Sequence, residues 1–267
     1  MKLRPVPRLL AAAVLGATVS VLLAVPAQAA DPVYYVALGD SYSSGTGAGG
    51  YDTSSGSCSR SPRSYAPLWA TSHAVAQFSF VACSGATTDD VRNNQLGALN
   101  ASTTLVTITI GGNDAGFVNV VSTCIFGGDN ACQWMVDGAK WYATNVLPGK
   151  LDSTYAAIRG RAPNARVVVL GYPRLFELTP TCNVFGLGLT KRIMLNNAAD
   201  TLAGVIGSRA QAAGDTFIDV RGAFAGHGIC GPSTWINPTT WPLSDSYHPN
   251  ASGYQYGDLA ALVGVVG

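Results

Sequence analysis

Tyr35-Val36-Ala37-Leu38-Gly39-Asp40-Ser41-Tyr42-Ser43-Ser44-Gly45 passes from an apolar run into a glycine turn that delivers a serine. The run from Val33 to Leu38 is short and almost wholly apolar, the pattern of a strand buried on both faces. Four further runs share it: Phe78 to Val81, Leu105 to Ile110, Arg166 to Leu170 and Thr216 to Val220. Between them lie segments of helix-compatible spacing: Tyr65 to His73, Trp134 to Arg161 with a break near Pro148, Lys191 to Ala213, and Ala251 to Val266. Strands alternating with helices predict an α/β fold. Its core is a central, mostly parallel five-stranded sheet covered by helices on both faces, three layers in all. Ser43 to Ser61, rich in Gly, Ser and Thr, and Cys124 to Cys132 read as surface loops.

The first residues read as a targeting segment. Basic Lys2, Arg4 and Arg8 precede an apolar run from Leu9 to Val25 that ends in Ala27-Gln28-Ala29, the order of a secretory signal peptide. The run is shorter than the ~20 residues that span a bilayer, which favours cleavage over a retained anchor. The expected division is a cleaved signal peptide over 1–30 and a single domain over 31–267, acting outside the cell as a monomer. Without its three basic leader residues the chain keeps 13 Lys and Arg against 15 Asp and Glu, a net charge of −2. That balance gives no sign of a nucleic-acid partner. Cys58, Cys83, Cys124, Cys132, Cys182 and Cys230 form an even set in an exported chain, most simply three disulfides. Nearest-neighbour pairing, Cys58 with Cys83, Cys124 with Cys132 and Cys182 with Cys230, would staple three loop-rich insertions. No Cys-x-x-Cys occurs, and His73, His227 and His248 lack a metal-site spacing, so no metal or other cofactor is expected.

In an open parallel sheet, ligands gather at the carboxyl ends of the strands. Ser41 follows the first strand and Asn113 the third, so both belong to one edge, and the turn Cys83-Ser84-Gly85-Ala86-Thr87 after the second strand joins them. A serine hydroxyl is a poor nucleophile until an imidazole takes its proton, and the ring itself needs an orienting partner. His248 is the candidate base and Asp245, three residues earlier, the candidate orienting carboxylate. The backbone N–H groups of Ser41 and Gly85 and the side-chain amide of Asn113 are candidate donors to an oxyanion. Each residue also has a structural alternative: helix entry for His248, loop capping for Asp245, helix capping for Asn113 and plain turn chemistry for Gly85 and Gly111-Gly112. The absence of Gly-x-Ser-x-Gly argues against the α/β-hydrolase nucleophile elbow. Asp40 and Asp114 suggest a sugar-cleaving carboxylate pair but read better as turn residues that bond local backbone.

Four blocks together resemble the GDSL, or SGNH, hydrolases. Gly39-Asp40-Ser41-Tyr42 is similar to the first block, with Tyr in place of the usual Leu. Gly85 fits the second, Gly111-Gly112-Asn113-Asp114 the third, and Asp245-Ser246-Tyr247-His248 the last. The resemblance spans essentially the whole mature chain and extends to secreted actinobacterial lipases and esterases. It implies a flavodoxin-like sandwich and a serine carboxylic ester hydrolase in which Ser41, His248 and Asp245 catalyse and Ser41, Gly85 and Asn113 hold the oxyanion. In some similar enzymes a backbone carbonyl orients the histidine, which leaves the carbonyls of Asp245 and Ser246 as rivals to the Asp245 carboxylate. The implied substrate is an acyl ester of a lipid. A phospholipase A, a polysaccharide acetyl esterase and a binding module that has lost turnover are the alternatives. Phe117, Ile125, Phe126, Trp134, Phe185, Leu187 and Leu189 are candidates for an acyl-chain groove, with core packing the commoner role for such side chains.

Overall fold

Gly39 closes the first strand at φ +121°, where a Cβ would lie 2.4 Å from the Thr109 carbonyl oxygen. Only glycine allows the chain to turn there while the neighbouring strand stays in register. The computed structural model describes residues 1–4, 32–182 and 184–267, so the expected signal peptide lies outside the described residues apart from its first four. In chain order the elements are β1 (Val33–Gly39), α1 (Ser41–Ser44), α2 (Tyr65–Ser72), β2 (Val75–Phe80), α3 (Thr88–Asp90), β3 (Leu105–Thr109), α4 (Phe117–Phe126), α5 (Asp129–Asn145), α6 (Leu147–Arg161), β4 (Arg166–Leu170), α7 (Leu189–Ala212), β5 (Thr216–Ile218) and α8 (Ala260–Val266). A wide helical turn, Gly253–Leu259, leads into α8.

The five strands form one wholly parallel sheet in the order β2-β1-β3-β4-β5. Alternation along β1 sends Tyr35 and Ala37 to one face and Val36 and Leu38 to the other. On the first face they join Trp69 of α2 and Leu262 of α8. On the second they join Leu147, Leu151 and Ile158 of α6 and Ile206 of α7. These are the two helical layers of the expected sandwich. Among the described residues no helix is long and apolar enough to cross a membrane.

A local expectation is corrected. Cys124 to Cys132 is not a loop but the junction of α4 and α5, broken only at Gly127 and Gly128. Phe117, Val120, Val121 and Cys124 recur at helical spacing, and the last three are buried, so the signal was present in the sequence. The break expected near Pro148 falls at Val146, and Pro148 lies in the first turn of α6, where its missing N–H leaves no bond unmade. The disulfides join Cys58 to Cys83, Cys124 to Cys132 and Cys182 to Cys230.

Candidate active site

β1 and β3 end side by side, with Gly39 opposite Thr109. The Asp40 N–H donates to the Thr109 carbonyl at 3.0 Å and the Cys83 N–H to the Gly39 carbonyl at 3.0 Å. Gln95 bonds both the N–H and the C=O of Gly39, each at 2.8 Å. Three strand ends thus deliver Ser41, Gly85 and Asn113 to one rim. Asp40 caps α1, its carboxylate accepting from the Tyr42 N–H at 3.0 Å, so the serine is the first residue of a short, buried helix.

His248 lies against it. The separation between Ser41 Oγ and His248 Nε2 is 2.8 Å, and both residues are buried. On the far side of the ring, Nδ1 donates to the Ser246 carbonyl at 3.0 Å, which leaves Nε2 as the acceptor facing the hydroxyl. Burial pulls the imidazole down from 6.5 to about 4, against the opposite effects of the Ser246 hydrogen bond and the Asp245 charge. The ring is therefore neutral, the form that accepts a proton.

Asp245 does not take the position expected of it. Its carboxylate accepts from the Tyr51 hydroxyl at 2.7 Å and from Ser244 Oγ at 3.3 Å, and the imidazole bonds the Ser246 carbonyl instead. The reason is local: Tyr247 adopts φ +62°, and this tight turn brings the 246 carbonyl under the ring.

Gly85 sits at φ +82° with nothing within 4 Å of a notional Cβ, so glycine is needed for the backbone conformation rather than for room. Among the described residues, neither its N–H nor that of Ser41 has an acceptor. Asn113 spends one amide hydrogen on the Ala86 carbonyl at 2.9 Å, leaving the other available. Asp114 reaches across to α3, bonding the Thr88 N–H at 2.9 Å and hydroxyl at 2.7 Å. It is structural, as expected, though its partner is distant in sequence rather than local.

Three contributors escaped the reading of the sequence. Tyr172 receives the Gly112 N–H at 2.9 Å and donates its hydroxyl to Asp40, tying the two loops together. Burial raises the Asp40 carboxyl to about 7, while the bonds from Tyr172 and Tyr42 favour its charged form. Gln95 and the Tyr42 hydroxyl are the others. Tyr172 was within reach, since it follows β4 at the same sheet edge as the other two loops.

Ser41 and Asn113 border a pocket of about 740 Å3, including its open mouth, walled by α4, α5, α7 and the segment after β4. Phe117, Val121, Ala143, Leu195 and Leu202 make it chiefly apolar. Of the aromatic and aliphatic candidates only Phe117 lines it. Leu187 belongs to the core, Ile125 packs against that core, and Phe126, Trp134, Phe185 and Leu189 are exposed. Among the described residues no cluster of His, Cys, Asp or Glu has the form of a metal site.

The model of the GDSL-like Lipase/Acylhydrolase family matches residues 37–256, most of the chain and all the loops just described. The chain belongs to the GDSL-like lipase/acylhydrolase family. As a member it is a carboxylic ester hydrolase. It is 48% identical over 259 residues to Lipase 1 of Streptomyces coelicolor, covering 96% of each chain. The structure of an extracellular lipase from Streptomyces rimosus superposes with a TM-score of 0.86 at 50% identity, over 88% of this chain and all of that one. A phospholipase A1 from Streptomyces albidoflavus matches equally well, with a TM-score of 0.85 at 50% identity over 87% of this chain and 99% of that one. This GDSL-family chain therefore shares its architecture with enzymes named for two different lipid esters.

Proposed function

We propose that this protein is an extracellular acyl hydrolase of lipid esters, released by signal-peptide cleavage near residue 30 and folded as one domain from residue 31. The observation that carries the reading is the Ser41–His248 pair at 2.8 Å opening onto an apolar pocket. Ser41 Oγ attacks the ester carbonyl carbon as His248 Nε2 takes its proton. The tetrahedral oxyanion is met by the N–H groups of Ser41 and Gly85 and by the free amide hydrogen of Asn113, each such donor being worth roughly 10²–10³ in rate. The alcohol leaves with the proton from Nε2. Water then attacks the acyl-serine and gives its proton to the same nitrogen, and as the bond to Ser41 breaks Nε2 returns that proton to Oγ, releasing the acid and restoring the resting pair. The Ser246 carbonyl holds Nδ1–H throughout, so the base works as a dyad.

The pocket favours an acyl chain over an acetyl group, because each methylene buried in it contributes about 0.8 kcal/mol. Extracellular action fits the three disulfides and the likeness to the extracellular lipase of Streptomyces rimosus. A phospholipid head is an equal candidate, given the Streptomyces albidoflavus relative. The test is hydrolysis of esters from acetyl to long acyl, with a triacylglycerol and a phosphatidylcholine included, alongside Ser41→Ala and labelling by a serine-directed phosphonate. Expected are labelling at Ser41, rates rising from acetyl to medium chains, and loss of at least about 10³-fold in Ser41→Ala. Turnover surviving that substitution, or a preference for acetyl esters, overturns the reading.

A further inference from the structure

Tyr42 occupies the position where the family's usual motif carries leucine, and its hydroxyl makes a bond that leucine has no atom to make. It donates to the Tyr247 carbonyl at 2.6 Å, across 205 residues of sequence. The acceptor belongs to the peptide between Tyr247 and His248. Ser246, whose carbonyl holds the imidazole, is the preceding neighbour. Tyr247 sits at φ +62°, a conformation side-chain-bearing residues rarely adopt unless their surroundings hold them there.

The other bonds on this turn come from elsewhere. Asn237 exchanges backbone bonds with Tyr247 and His248, both at 2.9 Å, and Thr239 meets the Tyr247 hydroxyl at 2.7 Å. Tyr51 holds Asp245. Among the described residues of α1, only Ser41 and Tyr42 hydrogen-bond to the histidine loop through their side chains. The Tyr42 ring is buried, 5.1 Å from the His248 ring and 4.9 Å from Tyr172 between centroids. Its own backbone N–H is fixed by Asp40. One residue thus connects the capped nucleophile helix to the loop bearing the base. Burial also raises the tyrosine pKa well above its ordinary value, so the hydroxyl remains a donor throughout the working range.

We infer that Tyr42 is a positioning residue for ester cleavage: by holding the Tyr247 carbonyl it keeps His248 Nε2 within proton-transfer distance of Ser41 Oγ. The inference rests on the Ser41–His248 assignment above. A hydrogen bond between serine and base that lengthens slightly slows proton transfer without altering the acyl pocket. The effect therefore belongs in kcat and not in KM.

The experiment compares wild type, Tyr42→Phe and Ser41→Ala on p-nitrophenyl octanoate, with active sites counted by phosphonate titration. Tyr42→Phe keeps the ring and removes one oxygen. The expected result is a kcat per active site lower by about tenfold, the scale of one lost hydrogen bond, with KM within about twofold. A second variant carries 4-aminophenylalanine at position 42, which restores a donor and should return kcat to within about threefold of wild type. A Tyr42→Phe enzyme with wild-type kcat per site overturns the inference, as does an aminophenylalanine variant no better than Tyr42→Phe. If Tyr42→Phe does not fold, the aminophenylalanine variant decides alone: near-wild-type kcat supports the clamp and a tenfold loss refutes it. Activity persisting in Ser41→Ala would instead refute the underlying assignment, so the two failures are told apart.

Discussion

Asp245 and Ser246 are neighbours, and which of them orients the imidazole decides how the base behaves. A carboxylate on Nδ1 stabilises the imidazolium by its charge, and replacing it by an amide in serine proteases costs about 10⁴ in kcat. A carbonyl fixes the tautomer without a full charge. Here Nδ1 bonds the Ser246 carbonyl, while Asp245 bonds Tyr51 and acts on the ring only through its charge. Asp245→Asn is therefore expected to lower kcat/KM by less than about tenfold, far from the triad value. In the wild type the neutral, active base is lost as pH falls through about 4, so the acid limb of kcat/KM lies near 4 and not near 6.5. The Asp245 charge raises the histidine pKa, so removing it moves that limb lower still. A thousandfold loss, or a limb near 6.5, sinks the dyad. The folded pKa lies below the unfolded one, so protonation favours the unfolded chain. Stability is full above 6.5 and lost as pH falls from there through 4, by about 3 kcal/mol in all. The residue types of the site could be read from the sequence because nucleophile, base and glycine turn each leave a local signature. The Ser246 carbonyl entered only through the family resemblance, as one rival among two, since every residue has a carbonyl and only the left-handed turn at Tyr247 aims this one.

α4 and α5 show where elements become legible and where they do not. The five strands stood out because a strand covered on both faces is a mostly apolar run, and only the start of edge strand β2 was missed, where Ala76 and Gln77 are exposed. α4 was hidden by its own Cys124 and by the glycines that follow it, which suggested a loop, although its buried residues keep helical spacing. The junction also carries the Cys124–Cys132 disulfide, whose two cysteines are fully buried and eight residues apart. Closing so small a loop in the unfolded chain removes entropy equivalent to about 2.5 kcal/mol on the chain-entropy account. The pair Cys124→Ser with Cys132→Ser should therefore unfold at lower urea concentration, with a loss of about 2–4 kcal/mol once the cost of two buried hydroxyls is added. Both helices wall the pocket, so long-chain esters should suffer more than short ones in partly denaturing urea. An unchanged urea midpoint would show that the bridge contributes nothing to holding these helices together.

Across the whole molecule, strand order determines where chemistry is possible. In β2-β1-β3-β4-β5 the chain reverses its direction of growth between β1 and β3, and the loops leaving those two strands splay apart to open a crevice. Ser41 leaves β1 and Asn113 leaves β3, so the proposed nucleophile and one proposed oxyanion donor flank that crevice. α4, α5 and α7 then extend it into the apolar pocket. The sequence predicted this sheet edge from strand–helix alternation alone. It did not predict the pocket, because α7 comes from far along the chain to face the adjacent α4 and α5, and part of the lining is alanine, at Ala115, Ala139, Ala143, Ala198 and Ala199. Alanine carries no recognisable signature, yet the space it leaves is what an acyl chain would fill. Ala199 is only partly buried on α7, so a larger side chain there can be tolerated by the fold while occupying the pocket. In Ala199→Phe, excluding about three methylenes removes roughly 2.4 kcal/mol of binding, near fiftyfold. Dodecanoyl esters should lose between about ten- and a hundredfold in kcat/KM, while butyryl esters stay within about threefold. An equal loss at every chain length would mean that the substitution disturbed Ser41 and not the pocket, and no loss at any length would mean that acyl chains bind elsewhere.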